Sequence, residues 1–154
     1  MTVPRRKGVL AIDHGTKRTG FAAVDALRIA TTPLEPFAGA ADSRALLEHV
    51  RALLEERDVD TLLVGWPVHM DGRPGARAAE VERFAAALAN AFPALRVVRY
   101  DERLTSKAAE ELLRDAGHFG RDARARRDSW SALVLLRDWI ASGEPASSAG
   151  SGDA

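Results

Sequence analysis

Three groupings of carboxylates carry most of the chemical potential of this sequence: Asp13, the pair Asp101-Glu102, and Asp128. Asp13 opens the stretch Asp-His-Gly-Thr-Lys-Arg-Thr-Gly20, Asp101-Glu102 runs into Arg103-Leu-Thr-Ser106, and Asp128 follows Arg124, Arg126 and Arg127. Carboxylate oxygens are the ligands that hard divalent cations prefer. Gly15 lets the chain turn tightly, and Lys17 and Arg18 are suited to phosphate. Thr105 and Ser106, as hydroxyls opening a helix, would offer a second perch for phosphate. Each grouping also has a plainer reading. Asp13 could close an Asx turn, Thr105 could cap a helix with the acids near its positive end, and Asp128 could offset the arginines. Only convergence of all three would supply what metal-assisted phosphodiester hydrolysis needs.

Other chemistries find less support. The chain has no Cys, which excludes a disulfide scaffold, a thiol nucleophile and Cys-ligated zinc or iron–sulfur centres. His14, His49, His69 and His118 show no metal-ligand spacing, and no G-x-S-x-G surrounds Ser129, Ser131 or Thr105. No apolar run approaches the ~20 residues needed to span a bilayer, and no signal-peptide core is present, so a cytoplasmic protein is expected.

The acids need elements to position them. Gly8–Asp13 is an apolar run ending in a carboxylate and reads as a buried strand. Phe21–Val24 reads as its hairpin partner. Residues 28–37 are β-branched but contain Pro33 and Pro36, which predicts an edge strand. From a cap at Asp42 or Ser43, Leu46, Leu47, Val50, Leu53 and Leu54 form an amphipathic helical stripe. A strand over 59–65, a helix over 76–91 and a strand over 96–100 follow, with Gly65–Gly72 as a candidate substrate-facing loop. A helix from Thr105 to Ala116 and a last helix within 122–141 complete the order. On that last helix Asp128 shares a stripe with Ser131, Ala132 and Leu135. The three tryptophans, Trp66, Trp130 and Trp139, read as core or rim rather than base-stacking platforms.

A meander followed by alternating strands and helices implies one mixed five-stranded sheet with helices on both faces, an α/β fold of ribonuclease H-like arrangement. In it Asp13 and the 101–102 pair leave strand ends, where open α/β sheets bind ligands. Strand alternation lets only one of Asp101 and Glu102 point into a shared site. With 154 residues, one domain over 1–141 is expected. Residues 142–154, with four Ser, three Gly and no Val, Ile or Leu, read as a disordered tail.

Charge adds a hint about ligands. The total is 22 Lys+Arg against 22 Asp+Glu. Yet residues 3–18 hold five cations against one acid, a net +4, and residues 114–127 hold five arginines against two acids, a net +3. Neutrality overall therefore does not exclude a polyanion, which responds to a local patch.

These motifs resemble the YqgF (RuvX) family of bacteria, described as Holliday junction resolvases and as pre-16S ribosomal RNA nucleases. The match rests on Ala11–Gly20, Val64–Gly72, Tyr100–Ser106 and Asp128, which occur in family order and span about 7–141. Trp66, Thr19 and Trp130-Ser131 depart from the family pattern without removing an acid. The resemblance implies a ribonuclease H-like nuclease acting on pre-rRNA or branched DNA, dependent on Mg²⁺ or Mn²⁺ with two ions. By motif position Asp13, Glu102 and Asp128 take the catalytic and metal-binding roles, with Asp101 as a fourth metal candidate. Lys17, Arg18, Arg103, Thr105 and Ser106 take substrate-binding roles. A monomer or a homodimer fits, since a four-way junction needs two active sites. Two competing readings are weaker. D-x-G-T also resembles the phosphate loop of the actin/sugar-kinase superfamily, whose members clamp ATP between two such domains. A non-catalytic nucleic-acid-binding module would have no need of all three acids.

Overall fold

The computed structural model describes residues 6–40, 44–66, 75–101, 111 and 120–146, with only the helical backbone described for 120–128. Five strands form one sheet: β1 (Gly8–Asp13), β2 (Arg18–Val24), β3 (Thr31–Ala38), β4 (Val59–Trp66) and β5 (Arg96–Asp101). Three helices cover it: α1 (Arg44–Glu55), α2 (Ala76–Ala91) and α3 (Gly120–Ala141). The strand order is β3-β2-β1-β4-β5. β2 pairs antiparallel with both β1 and β3, while β1, β4 and β5 run parallel. The mixed sheet expected from the sequence is therefore present.

β2 starts at Arg18, three residues earlier than its apolar run suggests. Ladder pairing of Arg18 with Ala38 and Thr19 with Phe37 extends it, although Arg18 itself is exposed. β3 is an edge strand, where Pro33 and Pro36 interrupt fewer ladder bonds. The helix expected over 105–116 lies outside the described residues except for Glu111, which is helical.

Parity along the strands sorts the core into two layers. Leu10 and Ile12 of β1 pack with Leu46 and Val50 of α1 and with Val81, Phe84 and Leu88 of α2. Val9 and Ala11 pack on the other face, with Ala132, Leu133, Leu135, Leu136 and Trp139 of α3. β1 is buried on both faces, which is why it reads as a continuous apolar run. Truncating a core side chain such as Leu46 or Trp139 would cost about 2–5 kcal/mol.

α3 runs antiparallel to β1, and three contacts fix this. Ser129 Oγ donates to the Leu34 carbonyl at 2.6 Å, and Leu34 lies in register with Phe21, which pairs with Ile12. Eight residues later, Arg137 Nε donates to Thr31 Oγ1 at 3.1 Å, at the level of Val24 and Val9. Beyond the helix, Arg28 of the β2–β3 turn binds Glu144 through two hydrogen bonds, of 2.8 and 3.1 Å, and donates to the Lys7 carbonyl at 2.8 Å. The C-terminus of α3 is thus fastened beside the start of β1, and its N-terminal half lies beside the end of β1.

Contacts continue past Ala141, the expected domain end. Glu144 holds Arg28, Ser142 Oγ lies 3.0 Å from Tyr100 Oη, and Trp139 Nε1 donates to the Pro145 carbonyl at 2.9 Å. Among the described residues no helix is long and apolar enough to cross a membrane.

Candidate active site

Asp13 is the last residue of β1, half-buried, and pairs across the ladder with Gly20. Directly opposed residues share a face of the sheet. The cross-strand neighbour of this carboxylate therefore has no side chain to crowd it. Asp13 continues the Val9–Ala11 parity and belongs to the α3 face.

The turn after Asp13 is tightly built. A Cβ on Gly15 would collide with the Arg18 carbonyl, so a residue without one is needed there. The Lys17 carbonyl accepts from the Gly39 N–H at 2.9 Å, tying the turn to the end of β3. Lys17 and Arg18 are exposed at this end of the sheet, the end that holds Asp13.

His14 goes the other way. It is 4 % exposed and stacks on Phe84 of α2, with ring centroids 4.4 Å apart. Arg77 Nη2 donates to the His14 carbonyl and lies 3.2 Å from His14 Nδ1. No motif singles out Arg77, and none assigns this role to His14. The available signal was parity: a residue after Asp13 must leave for the opposite layer.

β5 ends at Asp101, paired with Trp66, and β4 lies between it and β1. Val98 and Tyr100 belong to the α3 face. Val97 belongs to the α2 face, and Arg99 grips Glu82 of α2 with hydrogen bonds of 2.7 and 3.0 Å. Register thus assigns Asp101 to the α2 face, away from the face of Asp13. Tyr100 Oη donates to Asp138 Oδ2 at 2.7 Å; burial is the main cause that raises its pKa above the ordinary value.

Asp128 stands on α3 four residues before Ala132 and seven before Leu135, both fully buried against the sheet. Because α3 runs antiparallel to β1, this position is level with the end of β1. The structure therefore brings Asp13 and position 128 to one end and one face. Glu102, Arg103, Thr105 and Ser106 lie outside the described residues, as do the side chain of Asp128 and most of the Gly65–Gly72 loop. Among the described residues no group of three His, Cys, Asp or Glu could by itself hold a metal ion. The donors at this end are oxygens, the chemistry of Mg²⁺-like rather than thiolate-bound ions.

A cleft of about 350 Å³ opens at the opposite end of the sheet, lined by Ala23, Asp25, Leu34, Arg57 and Val59 among others. It shares no residue with the Asp13 turn, and nothing in it matches the acid groupings.

The family whose sequence model matches residues 7–142 is described as RuvX, Holliday junction resolvase. The chain belongs to the RuvX family. A protein of Geobacillus kaustophilus named "Putative pre-16S rRNA nuclease" is 40 % identical over 132 residues, 85 % of this chain and 95 % of its own. A relative of the same name from Flavobacterium johnsoniae is 32 % identical, over 87 % of this chain and 96 % of its own. Among solved structures, Thermus thermophilus RuvC in complex with a Holliday junction substrate matches with a TM-score of 0.56 at 19 % identity. That match covers 92 % of this chain and 99 % of that one. The fowlpox virus resolvase in complex with Holliday junction DNA also matches with a TM-score of 0.56, at 10 % identity, over 88 % and 97 % of the two chains. At such identities the structures speak for the fold, which is ribonuclease H-like. As a RuvX protein the chain is a nuclease, a hydrolase of phosphodiester bonds, and the kinase-like reading of the Asp13 motif falls away.

Proposed function

We propose that this RuvX protein trims the 5′ end of pre-16S rRNA in the cytoplasm, using divalent cations, Mg²⁺ or Mn²⁺, held by Asp13, Glu102 and Asp128. The observation that supports this reading is the antiparallel run of α3, which sets position 128 at the level of the end of β1, on the face that Asp13 takes. β1 and β5 are two strand spacings apart, about 10 Å, a gap that acidic side chains from both ends can share. Tyr100 lies on the α3 face, so the next residue of that parity is 102, which favours Glu102 over Asp101 as the third ligand. Bound there, divalent cations would neutralise phosphate charge and favour hydroxide over water as the nucleophile.

The protein's own groups do the rest. Gly20 leaves room beside Asp13 for the scissile phosphate. Lys17 and Arg18 hold flanking phosphates on the open side of the sheet, and Arg103 with Thr105 and Ser106 completes the grip from the β5 side. Substrate choice draws its support from the names of the relatives that match along nearly their full length. A single cut needs only a monomer, whereas a four-way junction would require two copies.

The test is cleavage of labelled ribosomal precursor RNA and of a four-way junction, each with Mg²⁺, Mn²⁺ or EDTA. Metal-dependent cutting of the RNA at the mature 5′ end is expected. Preferential cutting of the junction by a dimer would replace the proposed substrate, and cutting in EDTA would remove the cations from the reading.

A further inference from the structure

We infer that Arg77 is a positioning residue for Asp13, acting through His14 from the opposite face of the sheet. The inference rests on the reading of Asp13 as a metal ligand. Asp13 is the last residue of β1 and pairs across the ladder with Gly20 of β2. After it the chain enters the 14–17 turn. There Arg77 Nη2 addresses two acceptors of one residue, the His14 carbonyl and His14 Nδ1. The carbonyl bond fixes the rotation of the peptide that follows His14, and the ring stack on Phe84 fixes the His14 side chain. Together they hold the residue that directly follows Asp13, and through it limit how the chain at Asp13 can turn.

Both contacts come from one nitrogen of the guanidinium. Its planar fork offers several N–H groups in fixed directions, whereas an ammonium is a point charge that cannot hold two acceptors in one plane as firmly. Arg77 Nη1 lies 3.6 Å from Glu80 Oε1 one turn along α2, an ion pair without a hydrogen bond. Arg77 also sits in the first turn of α2, a few residues after Gly65–Gly72, the candidate substrate-facing loop. Residues that orient a metal ligand typically change metal affinity or activity by about 10–100-fold when removed.

The test uses the full chain with Arg77→Met and Arg77→Lys. For Arg77→Met, Mn²⁺ affinity, read by electron paramagnetic resonance with Asp13→Asn as the reference for lost binding, should weaken about 10-fold or more. The kcat for precursor RNA should fall with it, while KM changes little, and Arg77→Lys should recover part of both. A lower melting temperature with unchanged Mn²⁺ affinity and unchanged kcat at 25 °C would make Arg77 a fold-holding residue and overturn the inference. Failure of the functional reading looks different: wild type would then cut neither RNA nor junction. In that case a crystal structure of Arg77→Met decides the positioning role alone. A displaced Asp13 carboxylate supports it, and an unmoved one ends it. Should Arg77→Met not fold, the same measurements on Arg77→Lys decide between the same two outcomes, with smaller shifts.

Discussion

Ser129 Oγ donates to the Leu34 carbonyl at 2.6 Å, joining the buried face of α3 to edge strand β3 across 95 positions of sequence. Ser129 is 3 % exposed, so its hydroxyl has no ready access to water as a substitute. The bond sets the height of α3 on the sheet, and therefore that of position 128 relative to the end of β1.

Ser129→Ala should accordingly destabilise the protein by about 1–2 kcal/mol, because it leaves the Leu34 carbonyl without its donor. For a chain of this length that is a fall in melting temperature of roughly 2–6 °C. Cleavage should drop as well, since the acid one residue earlier loses its vertical anchor. Thermal unfolding measured beside RNA cleavage checks both, and a variant with full activity would show that α3 keeps its height without this bond.

Asp13→Asn preserves size and removes the charge. Cleavage in Mn²⁺ should fall on the order of 10³-fold or more. Melting in EDTA should change little or rise, because in the proposed site Asp13 would repel Glu102 and Asp128 when no cation is bound. A variant that melts early yet cuts normally would make Asp13 a turn residue and nothing more.

Lys17 and Arg18 are exposed at the Asp13 end. If they bind substrate phosphates, the affinity for RNA should fall steeply with salt, and replacing both by Ala should flatten the log–log slope by about 1–2 units. Binding isotherms at several KCl concentrations measure this directly. An unchanged slope would assign these cations to solvent.

The Arg28–Glu144 pair makes a pH prediction. The two hydrogen bonds from Arg28 hold the Glu144 carboxyl below its ordinary value of 4.5. A carboxyl lowered in the folded state stabilises the fold above the unfolded value and loses that contribution as pH falls through the lowered one. Wild type should therefore exceed Glu144→Gln in stability, by about 1 kcal/mol at pH 7, and the two should converge between pH 4.5 and more acidic values. Asp25, lowered by the Ala30 and Ile29 N–H groups, titrates in both proteins and cancels from the difference. Denaturant unfolding of both from pH 7 downward measures the gap; a gap that widens in acid would contradict the pairing.

Local chemistry made much of this protein legible from its residues alone. The apolar run Gly8–Asp13, the Leu46–Val50–Leu53 stripe and the two prolines of β3 each obey a short-range rule, and each element formed, although β3 begins at Thr31 rather than at 28 because Arg28 belongs to the turn before it. The carboxylate at the end of β1 and the stripe of Asp128 with Ala132 and Leu135 were likewise visible, because strand parity and helical repeat are properties of neighbours in sequence. What only the tertiary structure decided depends on pairs far apart in the chain. The bond from Ser129 to Leu34, the grip of Arg77 on His14 and the return of Glu144 to Arg28 are such pairs. No periodicity encodes them. Residues that looked like turn, cap or tail became anchors because folding brought donor and acceptor together in places with little water to serve either.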